Sequence, residues 1–284
     1  NMHMIRKTKP QSPPRLTYWI ITICGLLYVW NTLQLADLKK EKSSAFFLDL
    51  TPLLLTLSYD YSKGDQTYAE FFRSHEAATV KEFEALSRST EVKKLEEVNR
   101  FEGIYEILLK WPKANKEFQL PLFEKIREGE IWRVISPCFM HGGFLHILFN
   151  MLWLLLLGKQ IEERIKPWQY LSISFLVGII SNTAQYLTSG SFFVGYSGII
   201  AGLAGFIWMR QKKAPWEGYP LEKSTLIFLA VFVLGMSGIQ MVSFILHRFS
   251  IADFSINIAN TAHIVGAGTG IILGRIPLFS KGTI

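Results

Sequence analysis

The stretch Gly195-Tyr-Ser197-Gly-Ile-Ile-Ala-Gly-Leu-Ala-Gly-Phe-Ile-Trp-Met209 decides the fold of this chain. It carries no charged side chain, which is typical of a helix that lies within a membrane. The 13 residues from Ser197 to Met209 give about 20 Å of helix, whereas the hydrocarbon core of a bilayer is about 30 Å thick. The helix is therefore predicted to begin about 10 Å below the outer surface. The loop before it, residues 188–196, then needs protein or a water-filled cavity as its hydrogen-bond partner.

Five other segments are apolar enough to enter a bilayer. Together the six predict an all-α, polytopic membrane protein built as a six-transmembrane-helix bundle. The predicted spans are residues 16–35, 144–161, 168–187, 197–209, 224–245 and 258–274. Basic clusters after the second, fourth and sixth spans lie on the same side as the basic residues before the first, and the positive-inside rule assigns that side to the cytoplasm. The predicted division is a cytoplasmic tail (1–15), the first span (16–35), a long, partly helical extracytoplasmic connection (36–140), a core (141–275) and a second cytoplasmic tail (276–284).

The distribution of charge favours a membrane protein over other classes. Hydrophobic residues make up 49% of the chain and charged residues 19%. Of the 53 charged side chains (30 basic and 23 acidic), 34 lie between Asp37 and Arg133. This block structure disfavours a soluble globular enzyme, a coiled coil and a disordered chain. The net charge of +7 comes from the basic clusters at the predicted cytoplasmic ends, so no nucleic-acid partner is predicted.

The connection over 36–140 has mixed charge and helical periodicity around Ala69–Lys110. Its apolar patch, Phe46–Leu57, is too short to span a bilayer and contains Asp49 and Pro52. We expect this patch to form an interfacial or packed helix rather than a seventh crossing.

Four polar side chains lie at nearly the same predicted depth, on three spans that run in the same direction. His146 and Asn150 lie about 3 and 9 Å below the start of the second span, and His263 lies about 8 Å below the start of the sixth. Ser197 opens the sunken fourth span. Ionisable and amide groups in a membrane are costly, which makes each of them a functional candidate. We expect the four to meet in one layer on the outer side.

This set of side chains suits acyl transfer. A serine hydroxyl becomes a nucleophile when a neighbouring base takes its proton, and a neutral imidazole does this near pH 7. Ser197 begins a helix, so free backbone N–H groups and the positive end of the helix dipole lie beside it. We predict Ser197 as the nucleophile and His263 as the general base and acid. The predicted oxyanion hole is formed by the Ser197 backbone N–H with His146 and Asn150, which share one helix face.

Small residues predict close packing of the fourth and sixth spans. Gly198 and Gly202 form one GxxxG pair, and Gly266 and Gly270 form another. Such faces let membrane helices approach backbone to backbone, which a hydrogen bond between a serine and a histidine on two helices requires.

Three motifs together resemble the rhomboid family of intramembrane serine proteases. They are Gly195-Tyr-Ser197-Gly198, Ala262-His263-Ile-Val-Gly266 continuing to Gly270, and His141-Gly-Gly-Phe-Leu-His146-Ile-Leu-Phe-Asn150. Trp132 with Arg133 before the second span, and Glu162 with Arg164 after it, also look like family features. The resemblance implies a rhomboid catalytic core over 141–275 that hydrolyses peptide bonds in or near transmembrane segments of other proteins. It further implies a Ser–His dyad and no cofactor.

The resemblance also implies a setting and a set of supporting residues. It predicts a multi-pass protein of a bacterial cytoplasmic membrane, with an active site open to the outer side, and with transmembrane protein substrates and the lipid bilayer as partners. Loop 246–257 would cap the cavity and the fifth span would act as a lateral gate, while the oligomeric state is left open. Structural or water-retaining roles fall to His141, Gly195, Gly198, Trp132, Arg133, Glu162, Arg164, Gly266 and Gly270.

This sequence departs from the family pattern in two places. Some members carry an aromatic side chain four positions after the nucleophile that stacks on the histidine, whereas this chain has Ala201. The connection over 36–125 resembles nothing in the family core, and its role is left open.

Two other functions fit parts of the pattern. A catalytically silent relative that binds or escorts membrane clients would usually lack the serine or the histidine, and both are present here. A transporter or channel also places polar residues at matched depth, but the lower halves of the second, fourth and sixth spans are apolar. No metal site is predicted, because the chain has no HExxH sequence, and Cys24 and Cys138 are predicted to be unpaired.

Overall fold

The computed structural model describes residues 14–96, 101, 103, 104, 108, 122–248 and 260–280. This part of the chain is all helical, as predicted, and an isolated bridge between Ser43 and Glu76 is its one strand-like pairing. The helices are α1 (Arg15–Lys40), α2 (Pro52–Leu57), α3 (Lys63–Ser74), α4 (Val80–Ser87), α5 (Thr90–Glu96), α6 (Glu124–Arg127), α7 (Phe144–Glu162), α8 (Pro167–Ser189), α9 (Ser197–Lys213), α10 (Lys223–Arg248) and α11 (Asn260–Leu273). Short 3-10 turns lie at Ser44–Leu48, Ile131–Val134, Ser136–Phe139, Pro215–Glu217 and Pro277–Phe279.

Six helices, α1 and α7 to α11, coincide with the six predicted spans. Within the described residues, α1 and α7 have both the length and the hydropathy of a membrane span, and Lys223–Gly235 of α10 is a shorter apolar stretch. That all six helices cross a bilayer stays a prediction. The predicted cap over 246–257 lies mostly outside the described residues, and α10 continues through its first three positions.

Helix α9 is longer than predicted, because it continues past Met209 to Lys213. The prediction ended the helix at its first charged residue, which was wrong because Arg210 is buried and bound to Glu217. At 17 residues the helix is about 26 Å long, still less than the thickness of about 30 Å of a hydrocarbon core.

Helices α9 and α11 pack backbone to backbone, as the paired glycines predicted. A Cβ atom at Gly266 would collide with the Gly198 carbonyl group, and one at Gly270 with the Gly202 carbonyl group. These glycines are required by the closeness of the two helices rather than by backbone conformation. We call this contact the glycine interface (Gly198, Gly202, Gly266 and Gly270).

The predicted outer connection, as far as the structure describes it, forms a small helical layer with a hydrophobic cluster of its own. The patch Phe46–Leu57 is not the single helix that the sequence predicted. A 3-10 turn over Ser44–Leu48 ends at Asp49, whose φ of 53° stops the helix, and α2 begins after Thr51, which caps it. The periodicity predicted around Ala69–Lys110 corresponds, as far as residue 96, to the later part of α3 together with α4 and α5.

Two buried side chains fix this layer to the rest of the protein. The Asp60 carboxylate accepts hydrogen bonds from the backbone N–H groups of Glu124 (3.0 Å) and Lys125 (2.8 Å), and from the Tyr186 hydroxyl on α8 (3.0 Å). Arg133 donates to the carbonyl groups of Leu55 (2.9 Å) and Ser58 (2.8 Å) and pairs with Glu130. We call Asp60, Arg133 and the groups they bind the outer clasp.

Candidate active site

Ser197 and His263 lie within hydrogen-bond distance on neighbouring helices. The Ser197 Oγ atom at the start of α9 is 2.7 Å from the His263 Nε2 atom in the first turn of α11. Both side chains are partly exposed. The sequence predicted that these two side chains would meet.

Close packing beside this pair explains how the two groups meet. A Cβ atom at Gly198 would lie 3.3 Å from the Ala262 Cβ atom and 3.0 Å from the Ser181 Oγ atom on α8. A side chain at 198 would therefore press against α8 and α11, and these neighbours would have to move by a few tenths of an ångström.

Gln185 holds the start of α11 and was not among the predicted residues. Its Oε1 atom accepts the Ala262 backbone N–H at 2.9 Å, and its amide nitrogen donates to the Ser189 hydroxyl. An amide within a predicted apolar span is a signal that sequence reasoning could have used. This bond fixes the residue next to His263, and Thr188 adds a second contact to the same turn through Thr261.

His263 has no carboxylate partner among the described residues. Its Nδ1 atom is buried and forms no hydrogen bond there. Ala201 supplies no aromatic ring, so the imidazole is positioned by the backbone of α11 and by Ser197. Among the described residues, this serine and histidine therefore form a pair to which no third side chain is hydrogen-bonded through the imidazole.

His146 lies beside Ser197, with Gly195 between them. A Cβ atom at Gly195 would be 2.8 Å from the His146 Nε2 atom and 3.8 Å from the Ser197 Oγ atom. Gly195 has a φ of +125°, a conformation that side chains rarely tolerate. The first-turn N–H groups of α9 have no carbonyl group one turn earlier, so they also face this space.

Asn150 lies one turn below His146 on α7. Its amide nitrogen donates to the His146 carbonyl group at 2.8 Å, while its Oδ1 atom is buried and forms no bond to the described residues. An amide nitrogen carries two protons, so one donor remains after this bond is made.

His141 lies in the loop before α7 and is 1% exposed. Its ring centroid is 5.1 Å from that of His146. Burial, and to a lesser degree His146, lower the pKa of His141 to about 4, while the backbone of Phe139 opposes the change. The neutral ring packs against the ring of His146, which suits a structural or water-retaining role.

The other predicted residues lie away from the serine and histidine. Glu162 caps α1 by accepting the backbone N–H groups of Leu16 (2.7 Å) and Thr17 (2.9 Å). Arg164 donates to carbonyl groups at Gln160 and Gly218 and so holds the loop after α9.

Trp132 and Arg133 lie on the 3-10 turn over Ile131–Val134, where Trp132 is 47% exposed. Within the described residues no group of three or more metal-binding side chains occurs. Cys24 and Cys138 are both free and buried.

Comparison with known proteins agrees with the resemblance predicted from the motifs. The Rhomboid domain family matches residues 128–279, which is more than half of the chain. This chain belongs to the rhomboid family. The Rhomboid protease GlpG of Klebsiella pneumoniae subsp. pneumoniae is 31% identical over 170 residues, which cover 60% of this chain and 53% of that protein. The Rhomboid protease GlpG of Salmonella paratyphi A is 30% identical over 155 residues, which cover 54% of this chain and 51% of that protein.

The chain spans about half the length of these curated relatives. The rhomboid domain begins at Glu128, so almost all of the outer connection lies before it. The helices α7 to α11, which bring the serine and the histidines together, all lie within the domain.

Proposed function

We propose that this rhomboid protein is an intramembrane serine protease that hydrolyses peptide bonds in or near the transmembrane segments of other membrane proteins. The observation that carries the proposal is the 2.7 Å contact between the Ser197 hydroxyl and the His263 imidazole. It joins two helices whose backbones touch at the glycine interface. Membership of the rhomboid family agrees with this reading.

The geometry supports a two-step acyl transfer. His263 Nε2 takes the proton from Ser197 Oγ as the oxygen attacks the carbonyl carbon of the peptide bond. The tetrahedral oxyanion is stabilised by the Ser197 backbone N–H, by His146 and by the remaining amide proton of Asn150. The C–N bond breaks, and His263 returns the proton to the leaving amine. A water molecule then hydrolyses the acyl-enzyme, with His263 as the base again.

The proposed setting is a bacterial cytoplasmic membrane crossed by α1 and α7 to α11, with both termini in the cytoplasm. The serine and histidine then face the outer side, where their partial exposure admits water. Transmembrane proteins are the proposed substrates. The lipid bilayer surrounds the faces of the bundle that point away from its centre.

Reporter cleavage in liposomes tests this function. The wild-type protein is expected to cleave a transmembrane reporter, and Ser197→Ala or His263→Ala is expected to abolish cleavage with thermal unfolding little changed. Ser224→Ala and His75→Ala are matched controls away from the site, and both should cleave normally. Cleavage by the Ser197→Ala protein at the wild-type rate would rule out the proposed nucleophile.

Covalent labelling separates an enzyme from a silent relative. A serine-directed phosphonate should label the wild-type protein at Ser197, and it should not label the His263→Ala protein. A protein that folds, binds membrane clients and takes no label would be the catalytically silent relative instead.

A further inference from the structure

At the glycine interface, some other contact must fix the positions of α9 and α11 along their axes. Glycine faces have no side chains that interlock, so they resist separation better than sliding. A slip of one residue moves a helix by about 1.5 Å. A hydrogen bond of 2.7 Å between Ser197 and His263 would be lost by such a slip, since hydrogen bonds weaken beyond about 3.2 Å.

A buried arginine joins the opposite ends of the same two helices. Arg210 lies on α9, one turn before its end, and is 4% exposed. Its Nη1 atom donates to the carbonyl group of Gly274, the residue after α11, at 3.1 Å. Its Nη2 atom donates to the Ser280 hydroxyl at 2.8 Å. The guanidinium group therefore contacts the end of α11 and the segment that follows it.

Glu217 fixes the direction of this guanidinium group. It is 2% exposed and accepts two bonds from Arg210, at Nε (2.9 Å) and at Nη2 (2.5 Å). A planar guanidinium held at two points cannot rotate, so its remaining N–H groups point in one direction. That direction is toward Gly274 and Ser280.

We infer that Arg210 and Glu217 are positioning residues that hold α9 and α11 in register, and so align Ser197 with His263 at the other end of the helices. The distance over which they act is about 20 Å, because Arg210 lies 13 residues after Ser197. The inference rests on the proposed function for its effect on chemistry. The register itself is a property of the fold.

The Arg210→Lys variant tests the inference, because it keeps the positive charge next to Glu217. A lysine ammonium lacks the planar fork, so it cannot hold Glu217 at two points and bind Gly274 and Ser280 at the same time. We expect the rate of labelling by a serine-directed phosphonate and kcat to fall roughly tenfold or more, because small displacements of reacting groups are costly. KM should change by less than about twofold, because the substrate surface is untouched. Glu217→Gln should also lower the labelling rate and kcat. It replaces Arg210→Lys as the test variant if Arg210→Lys folds poorly.

Glu162→Gln is the matched control. Glu162 is 1% exposed and binds Leu16 and Thr17 at the start of α1, and its side-chain bonds within the described residues include none to α9, to α11 or to the loop that carries Glu217. We expect a similar loss of thermal stability with the labelling rate within about twofold of wild type. An equal loss of labelling in Glu162→Gln would show a merely structural effect and would overturn the inference, as would a wild-type rate in both Arg210→Lys and Glu217→Gln.

A spectroscopic measurement keeps the register test separate from activity. In protein with ¹⁵N-labelled histidines, the His263 signal is assigned with His263→Ala, and Ser197→Ala gives the reference without the serine hydroxyl. The His263 signal of Arg210→Lys should move toward that reference, and an unchanged signal would overturn the inference. If the wild-type protein takes no phosphonate label, the proposed function fails, while this spectrum still decides whether Arg210 sets the register.

Discussion

The glycine interface and the outer clasp hold neighbouring parts of the molecule by opposite means. At the interface two backbones touch, and no side chain lies between them that could adjust to a change. At the clasp the Asp60 and Arg133 side chains instead reach backbone groups of neighbouring segments. From this comparison we expect a single added carbon atom at the interface to destabilise the whole contact between α9 and α11. A substitution at the clasp should instead open only the segments next to it. Substitutions at the two places test this difference.

Gly270→Ala should have the largest effect. Its Cβ atom would collide with the Gly202 carbonyl group, so α9 and α11 must move apart. We expect a loss of about 3 kcal/mol or more in the free energy of unfolding, and loss of reporter cleavage in the remaining folded protein. Equilibrium unfolding in detergent and the liposome assay measure the two effects.

Gly268→Ala is the matched control on the same helix. A Cβ atom there meets nothing within 4 Å. We expect it to be neutral or slightly stabilising, since alanine favours a helix more than glycine does. Equal stability of Gly268→Ala and Gly270→Ala would mean that the two helices do not depend on backbone contact.

Arg133→Lys should have the next largest effect, confined to the outer layer. The lysine keeps the charge but cannot donate to the Leu55 and Ser58 carbonyl groups while it pairs with Glu130. We expect the local free energy of opening of α2 to fall by about 2 kcal/mol. Hydrogen exchange of the Ser58 amide, which donates to the Leu54 carbonyl group, reports this opening.

The exposed Arg88 gives a control for this measurement. It lies 4.0 Å from Glu84 and its side chain is 81% exposed, so Arg88→Lys should leave exchange of α2 unchanged. Global unfolding of Arg133→Lys at the same denaturant concentration as Gly270→Ala would contradict the view that the clasp opens locally.

Sequence alone predicted the serine and histidine contact for reasons that can be stated. Depth along a helix follows from residue number, and small residues at every fourth position mark helices that approach closely. Ser197 and His263 are therefore predictable as a pair although 66 residues separate them. The family match begins at Glu128, which explains why the resemblance gave nothing for most of the outer connection.

Sequence reasoning missed Gln185, Arg210 and Asp60 because each binds a partner that is set by the tertiary fold. Asp60, for example, meets Tyr186, which is 126 residues away. The starts of α3 and α4 are predictable from the sequence, since Ser62 with Asp65 and Thr79 with Glu82 form capping boxes. The single helix expected over Phe46–Leu57 was wrong because apolar composition does not show where a backbone changes direction.

The smallest expected effect is a pH dependence of the clasp. Burial raises the pKa of Asp60, while the N–H of Lys125, the hydroxyl of Tyr186, the N–H of Glu124 and the charge of Arg133 oppose the change in part. A carboxyl group whose pKa is raised in the folded state adds stability that is fully present below its ordinary value of 3.8 and is lost as pH rises through the raised value. We therefore expect the clasp to be more stable in acid than at neutral pH.

Glu128 on the loop after α6 gives the opposite sign, which sharpens this test. The hydrogen bond and charge of Lys125 lower the pKa of Glu128, so its contribution is present above its ordinary value of 4.5 and is lost as pH falls. Hydrogen-exchange protection of the Glu124 and Lys125 amides, corrected for intrinsic exchange, should therefore rise in acid in the wild-type protein and in Glu128→Gln. This rise should disappear in Asp60→Asn. Protection that falls in acid in both wild type and Glu128→Gln would mean that the bonds to ionised Asp60 outweigh its burial. The clasp would then depend on an ionised carboxylate, in contrast to the uncharged glycine interface.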